Sequence, residues 1–402
     1  MPAFTPLTHP LHDQAALGRT LDEFLAARPE PLDILALGEP THGIAAFPLL
    51  RNELLVHLVT RGFRSIVLES DFFAASVVDD YVNGGAADLD TVLETGFSHH
   101  FGAVPGNREL VEWLRAHNAD RAPGDRVRFH GFDAPLEQTD VPSPRHTLTA
   151  AVRHLPVALR PASTRDLDAL LGDDTDWTNP AGIYDPSASI GDSDRVRALR
   201  VVADDVASAL RRAAPPLHRA DPAGYALALA SARTAQGLLR FHTAIADTGP
   251  DRFATLLSLR TEMMADNLLA IRTAEQRRGP SLVFAHNVHL LRGESTMAMH
   301  TGEVRWCGAG ALLACALGDR YAVLATDAKP HSTPGTLQGL LAAATTGRTL
   351  FPAPALRAAL PAPIDADAPI LPGHIPLDPA DLAGADAVVF VADTDGHRHQ
   401  YR

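Results

Sequence analysis

The chain is short of residues on which several classes of protein depend. It has two cysteines among 402 residues, Cys307 and Cys315, and no Cys-x-x-Cys pair, which excludes a thiolate zinc site. Both lie in a run of small residues and are expected to be buried free thiols. Lysine occurs once, at Lys329, and 48 acidic against 35 basic residues give a net charge of −13. That sign argues against nucleic acid or an anionic membrane as a partner.

Long apolar runs are also missing. The longest, residues 308–318, has about 11 residues and is too short to span a bilayer. The first residues, MPAFTPLTHPLHDQ, show neither the basic nor the apolar region of a secretory signal peptide, so a cytoplasmic location is expected. We find no Gly-x-Ser-x-Gly motif, which disfavours a serine hydrolase of the nucleophile-elbow type. Hydrophobic residues make up 46% of the chain, as in ordinary globular proteins.

What the sequence does contain is a series of short apolar runs that stop at acidic residues and histidines. They are residues 32–43 (LDILALGEPTHG), 63–71 (FRSIVLESD) and 281–289 (SLVFAHNVH), which present Glu39 and His42, Glu69 and Asp71, and His286 and His289. Such runs are typical of buried parallel strands. Ligands of open α/β sheets bind at the carboxyl ends of the strands. The sequence therefore predicts a reactive site at one edge of a parallel sheet.

The order of the predicted elements indicates an α/β fold, a mostly parallel sheet flanked by helices with an inserted helical domain. Six strands are predicted, at 32–37, 64–69, 126–131, 281–286, 320–326 and 386–392. Helices are predicted at 45–61, 108–118, 193–212, 223–245 and 258–278. The first is expected to carry one apolar stripe, Leu49, Leu50, Leu54, Leu55 and Leu58, and the third to begin after an N-cap at Asp192 or Ser193. We expect residues 1–144 and 279–402 to form the α/β core and residues 145–278 a helical insertion that serves as a lid or cleft wall. Residues 351–385, rich in proline, are expected to be irregular.

The first cluster has the residue types that activate water. A histidine near its free pKa is the usual general base at neutral pH, and a nearby carboxylate such as Glu39 can orient the ring of His42. Arg51 can pair with a carboxylate or stabilise an oxyanion. The structural alternatives are that Glu39 caps the next helix while His42 packs against it, and that Glu69 forms an ion pair with Arg51 or binds a helix N-terminus.

Other candidates lie on later segments. His286 and His289 share a face only if the chain becomes helical after the strand, and either can donate a hydrogen bond to a carbonyl oxygen or act as a second acid; the alternative is two satisfied strand-end histidines. His130 and Asp133 in RFHGFD, His100 and Asp71 are candidates for substrate binding, and His99 beside His100 is a further candidate. No metal ligand or cofactor is assigned.

The ordered set LGEPTH, an arginine nine residues after the histidine, VLESD, FHGFD and FAHNVH resembles the erythromycin esterase family. The resemblance covers most of the chain. It implies an α/β core with a helical domain and hydrolysis by water, with the histidine of Gly-Glu-x-x-His, here His42, as the base. Three features depart from the family pattern: Pro40, the pair Arg260–Thr261, and the segment after Tyr321.

We therefore predict an enzyme, a hydrolase that uses His42 to activate water against an ester or lactone of a polyketide-type small molecule. Arg51 and His286 would stabilise the oxyanion, and Glu39 and Glu69 would hold the histidines. One alternative is a non-hydrolytic biosynthetic enzyme that runs cyclisation, elimination or acyl transfer at the same site. Two others are a metal-dependent hydrolase, because His and Glu are common metal ligands, and a protein that binds a ligand of the haem type.

Overall fold

The computed structural model describes residues 8–137, 140–299, 302–345, 347–394 and 398–399. Contacts divide the chain into two compact units, Met1–Phe132 with Leu268–Arg402, and Asp133–Asn267. The domain boundaries predicted from the sequence, with the insertion at 145–278, stay a prediction, as does its role as a lid or cleft wall. None of the helices in the described ranges combines the length and apolar character that crossing a bilayer demands.

A large sheet forms the centre of the first unit. The strands within the described residues are β1 (His9–Pro10), β2 (Ile34–Glu39), β3 (Ser65–Asp71), β4 (Arg128–Asp133), β5 (Ser281–His286), β6 (Glu294–Met299), β7 (Gly302–Cys307), β8 (Tyr321–Ala328), β9 (Arg348–Pro352) and β10 (Ala387–Val391). Eight of them form one sheet in the order β1-β9-β10-β8-β2-β5-β3-β4. The pairings from β10 through β8, β2 and β5 to β3 are parallel, and β9 joins β10 antiparallel. The predicted fold class is confirmed.

Helices flank this sheet. Those of the first unit are α1 (Gln14–Ala26), α2 (Ala46–Thr60), α3 (Ala75–Val82), α4 (Leu89–Thr95), α5 (Asn107–Asn118), α12 (Asn287–Leu290), α13 (Ala309–Leu317), α14 (Leu337–Ala343) and α15 (Ala353–Ala359). The predicted apolar stripe of α2 is buried at Leu50, Leu54, Leu55 and Leu58. The prediction is wrong for Leu49, which is 41% exposed because its position is turned about 100° from that of Leu50.

The second unit is helical. It holds α6 (Arg145–His154), α7 (Leu167–Leu171), α8 (Asp194–Arg212), α9 (Ala214–Ala220), α10 (Pro222–Ile245) and most of α11 (Arg252–Glu275). Ser193, a predicted N-cap, accepts a hydrogen bond from the backbone N–H of Val196 and so begins α8. Leu199, Val206 and Leu239 lie in the apolar core that α8 and α10 share.

Two local predictions are wrong, and one small sheet was not predicted. Residues 351–385 are not uniformly irregular, since they contain the end of β9, all of α15 and a 3-10 helix at Pro379–Gly384. Residues 294–307 form a two-stranded antiparallel sheet, β6–β7, that the sequence reading did not find. Cys307 and Cys315 are exposed instead of buried, because β7 and α13 each present one face away from the core.

Candidate active site

The carboxyl ends of three neighbouring strands carry the predicted catalytic residues. β2 and β3 lie on either side of β5, and the β2–β5 register places Glu39 directly opposite His286. Glu69 lies on β3, near its carboxyl end. Because all three strands are parallel, these side chains meet at one edge of the sheet, as expected for ligand sites of open α/β folds.

A short turn after β2 positions His42. Pro40 has no N–H and cannot donate to a strand ladder, and Gly43 takes a φ of 86°, which glycine adopts without a steric penalty. The His42 Nδ1 then lies 2.8 Å from Glu39 Oε1, and its Nε2 lies 3.8 Å from Glu69 Oε1. Glu39 does not cap the next helix, whose N-cap is Ala45. His42 therefore stands between two buried carboxylates, the arrangement that stabilises an imidazolium.

Burial raises the pKa of Glu39, and the hydrogen bond and charge of His42 oppose that shift. Its Oε2 is buried without a hydrogen-bond partner in the described part of the chain. A carboxylate with only one oxygen bonded pairs best with a positive neighbour. An imidazolium formed at His42 during a reaction is such a neighbour.

Arg51 lies on α2 with 1% of its surface exposed. Its guanidinium donates to three neutral acceptors: Asn52 Oδ1 (3.0 Å from Nε and 2.8 Å from Nη2), Asn107 Oδ1 (2.8 Å from Nη1) and the Gly106 carbonyl oxygen (3.1 Å from Nη2). These bonds use four of the five N–H donors of an arginine and leave one Nη1–H without an acceptor among the described residues. Burial lowers the pKa of Arg51 to about 9, which still leaves the group charged at neutral pH.

The two histidines after β5 have different partners. The chain becomes helical at α12, which begins with His286 as its N-cap. His286 donates from Nε2 to the Pro40 carbonyl oxygen (2.9 Å) and accepts at Nδ1 from the Val288 backbone N–H (3.3 Å). Burial lowers the pKa of His286 to about 3, so its ring is neutral. The oxyanion contact predicted for His286 would need a ring rotation that the structure does not show, and the geometry favours a positioning role.

Glu69 is bound from the β5 side. Its Oε2 accepts from the His286 backbone N–H at 2.8 Å, and its Oε1 lies 3.2 Å from His289 Nε2. His289 Nδ1 is buried without a partner in the described chain. The ion pair between Glu69 and Arg51, considered as a structural alternative, does not form. The carboxylate of Glu69 instead lies between two histidines, with Oε1 3.2 Å from His289 Nε2 and 3.8 Å from His42 Nε2.

A small cavity of about 30 Å³ lies among these groups. Its polar lining includes Glu39, His42, Arg51 and Glu69, and its apolar lining includes Leu68, Phe97, Phe101, Val104 and Phe284. A cavity of this size holds one or two water molecules. The sequence reading did not find Asn107 or Phe101, which also line it. The position of Asn107 directly before the predicted helix 108–118 was the signal available for it, and Phe101 has no motif.

The four residues predicted to bind substrate lie elsewhere among the described residues, and none lines this cavity. His130 Nε2 lies 3.3 Å from Glu275 Oε1. Asp133 forms a two-point ion pair with Arg260, with Nε–Oδ1 and Nη2–Oδ2 distances of 3.0 and 2.5 Å. Asp71 accepts from the backbone N–H groups that follow it, at Phe73 and Ala74. These contacts give the three residues structural partners, and their substrate-binding role stays a prediction.

His100 is exposed in a 3-10 turn, Ser98–Ala103, and lines a separate open groove of about 580 Å³ with residues of α4 and α5. Its neighbour His99 contacts the Phe101 ring at a centroid distance of 5.4 Å, and Phe101 lies 4.9 Å from the His42 ring. Both histidines have positive φ, 56° and 55°, in the left-handed region. The turn is therefore a strained segment next to the cavity.

The fold and the site together define an α/β protein with a histidine–carboxylate centre at the edge of a parallel sheet. The family model for erythromycin esterase matches residues 59–360, and the chain belongs to the erythromycin esterase family. No curated protein matches the sequence. Family membership supports an esterase-like hydrolase that acts on ester bonds of a small molecule.

Solved structures share the fold. A Bacillus cereus protein superposes with a TM-score of 0.70 at 17% identity, over 97% of this chain and 96% of its own. A succinoglycan biosynthesis protein gives 0.68 at 16% identity, over 98% and 96%. A mutant of the erythromycin esterase EreC in its open conformation gives 0.67 at 18% identity, over 96% and 95%. At these identities the similarity shows the fold alone.

Proposed function

We propose that this protein hydrolyses an ester or lactone of a polyketide-type small molecule, such as a macrolide, with water activated by His42. The observation that carries the proposal is the position of the His42 ring. Its Nδ1 is bound by Glu39 at 2.8 Å, and the ring borders a cavity that holds one or two water molecules and is also lined by Arg51.

The reaction follows from these positions. His42 takes a proton from the water while the water oxygen attacks the carbonyl carbon. Glu39 stabilises the imidazolium that forms. The carbonyl oxygen gains negative charge, which the unpaired Nη1–H and the positive charge of Arg51 stabilise. The imidazolium then returns the proton to the leaving alkoxide, so the products are an acid and an alcohol and no covalent enzyme intermediate forms.

Several features support water over a protein nucleophile. The side chains that line the cavity are carboxylates, a histidine, an arginine, an asparagine and apolar groups, and no serine or cysteine is among the described lining residues. No group of three or more His, Cys, Asp or Glu side chains in the described ranges has the arrangement of a metal site, so the metal-dependent alternative gains no support from geometry. The cytoplasmic location and the non-hydrolytic alternatives stay predictions.

The proposal is tested by turnover of a macrolide and a panel of simple esters and lactones, followed by mass spectrometry. The wild-type protein is expected to add one water to at least one substrate, and His42→Ala to lose that activity. His57→Ala is a matched control, because His57 also binds a carboxylate, Asp22, at 2.9 Å but on α2 away from the cavity lining. Equal turnover by wild type and His42→Ala would exclude His42 as the base.

A further inference from the structure

The site edge contains an asparagine that reaches across a strand. Asn287 follows β5, and its side chain bonds the backbone of Thr326 on β8, although β2 lies between these two strands. Its Nδ2 donates to the Thr326 carbonyl oxygen at 2.7 Å, and its Oδ1 accepts from the Thr326 N–H at 3.2 Å. Thr326 Oγ1 in turn donates to the Gly38 carbonyl oxygen at 2.7 Å. The side chains of Asn287 and Thr326 thus connect the ends of β5, β8 and β2 by hydrogen bonds.

This crossing is possible because residue 38 is glycine. A Cβ at Gly38 would lie 2.1 Å from Asn287 Oδ1, 3.0 Å from its Cγ and 3.1 Å from its Cα. The first distance is far below any non-bonded contact, so a side chain at this position would displace the asparagine amide. Regular pairing between β2 and β8 runs from Ile34–Tyr321 to Leu37–Leu324. Beyond that pair, the amide of Asn287 and the hydroxyl of Thr326 make the bonds.

The hydrogen bonds between Asn287 and Thr326, here called the bridge, lie next in sequence to the proposed catalytic residues. Gly38 precedes Glu39, and Asn287 lies between His286 and His289, so fixing these two residues fixes both ends of the site. Asn287 is 3% exposed and Thr326 is fully buried, so water does not compete for their bonds. A shift of α12 would change the contacts of His286 with Pro40 and of His289 with Glu69.

We propose that Asn287, held over Gly38 and bonded to Thr326, is a positioning residue that sets the geometry of Glu39, His286 and His289 for the reaction at His42. Only the expected fall in kcat rests on the proposed function; the positioning of the histidines by Asn287 does not. It assigns Asn287 no contact with substrate. Because positioning errors act on the chemical step, its loss should lower kcat with little change in KM.

Asn118 supplies a matched control. It is a buried asparagine that bonds both the N–H and the carbonyl of Val127, at 2.8 and 2.9 Å, as Asn287 does at Thr326. Its Nδ2 also lies 3.2 Å from the Val82 carbonyl oxygen, to which it donates. It does not line the cavity. Asn118→Ala and Asn287→Ala should therefore destabilise the fold to a similar degree. Only Asn287→Ala should lower kcat, by roughly 10- to 100-fold. Wild-type kcat in both variants would overturn the proposal and leave Asn287 with a purely structural role.

A second measurement does not need a substrate. Long-range ¹H–¹⁵N spectra report the tautomer of each histidine ring, and the signals of His286 and His42 can be assigned from His286→Asn and His42→Ala. We expect Asn287→Ala to shift both signals and Asn118→Ala to leave them unchanged. If the wild-type protein hydrolyses nothing, the proposed function fails while this spectrum still decides the positioning role. Unchanged ring signals in Asn287→Ala would overturn it.

Two further variants keep the test sound if Asn287→Ala folds poorly. Thr326→Val removes only the hydroxyl that donates to Gly38, keeps the strand-forming shape, and should lower kcat in the same direction but less. Gly38→Ala should lower kcat strongly in the wild-type background and less when Asn287 is already alanine, because the atoms it displaces are then absent. If the two substitutions lower kcat by independent factors in the double variant, the contact between residue 38 and Asn287 is not the cause of the loss in Gly38→Ala.

Discussion

At the scale of single residues, Arg51 is unusual because a buried cation normally has an anionic partner. No carboxylate among the described residues lies within ion-pair distance of it, and its acceptors are amide and carbonyl oxygens. The free-energy cost of burying the Arg51 guanidinium is offset only partly by those hydrogen bonds and by the Phe284 ring, whose centroid lies 4.9 Å away. Such an arrangement is poor for stability and well suited to a negative charge that appears during a reaction.

The strained turn at His99–His100 makes a prediction at the same scale. His100 has a φ of 55°, a conformation that costs a residue with a Cβ about 1 kcal/mol and costs glycine nothing. His100→Gly should therefore be more stable than His100→Ala by about 1 kcal/mol, although glycine usually destabilises. Chemical denaturation measures the difference, and the opposite order would show that the turn is not strained. If His100 binds substrate, both variants should raise KM equally.

At the scale of elements, one buried carboxylate binds the segment between α15 and β10. Asp327 at the end of β8 accepts from His374 Nε2 (3.0 Å), Gln338 Nε2 (2.7 Å) and the Leu377 N–H (2.9 Å). The segment in turn donates from the Ile375 N–H to the Pro40 carbonyl oxygen at 2.9 Å. Asp327 therefore anchors the part of the segment that is bonded to the turn carrying His42.

His374→Ala should release that segment. It leaves a buried carboxylate short of a donor, which costs about 3 kcal/mol. We expect faster amide hydrogen exchange across residues 365–377, measured by mass spectrometry. His57→Ala is the control, because its partner Asp22 is 37% exposed and such a pair contributes under about 1 kcal/mol. Unchanged exchange in His374→Ala would mean that other contacts hold the segment.

The sequence predicted those elements whose pattern is strong. The buried strands β2, β3, β5, β8 and β10 are continuous apolar runs, and the catalytic candidates follow from their ends. β9 is a five-residue strand that ends in proline, and β6–β7 has mostly exposed side chains, so neither has a clear hydrophobic period. The bridge from Asn287 to Thr326 spans 39 positions of sequence and depends on strand order, which no local pattern contains.

At the scale of the whole molecule, each unit holds a buried histidine in its neutral form. Burial lowers the pKa of His286 in the first unit to about 3 and that of His242 in the second to about 4. A histidine of the unfolded chain titrates near 6.5. Between these values the unfolded chain binds a proton that the folded chain does not, so the free energy of unfolding falls as the pH drops below about 6.5.

His242→Gln isolates this effect, because a glutamine amide can still donate to the Pro142 carbonyl oxygen, which His242 Nε2 contacts at 3.0 Å, but does not titrate. Between about pH 4 and 6.5 the variant should lose stability on acidification less steeply than wild type, by up to about 1.4 kcal/mol per pH unit. Urea unfolding followed by circular dichroism at several pH values measures both slopes.

The exposed His218→Gln in the same unit should retain the wild-type slope. Glu39, whose pKa is raised, acts in the opposite sense but is common to all three proteins, so it cancels from the comparison. Equal slopes for His242→Gln and wild type would mean that His242 takes up its proton without unfolding the helical unit, and that the acid sensitivity arises elsewhere.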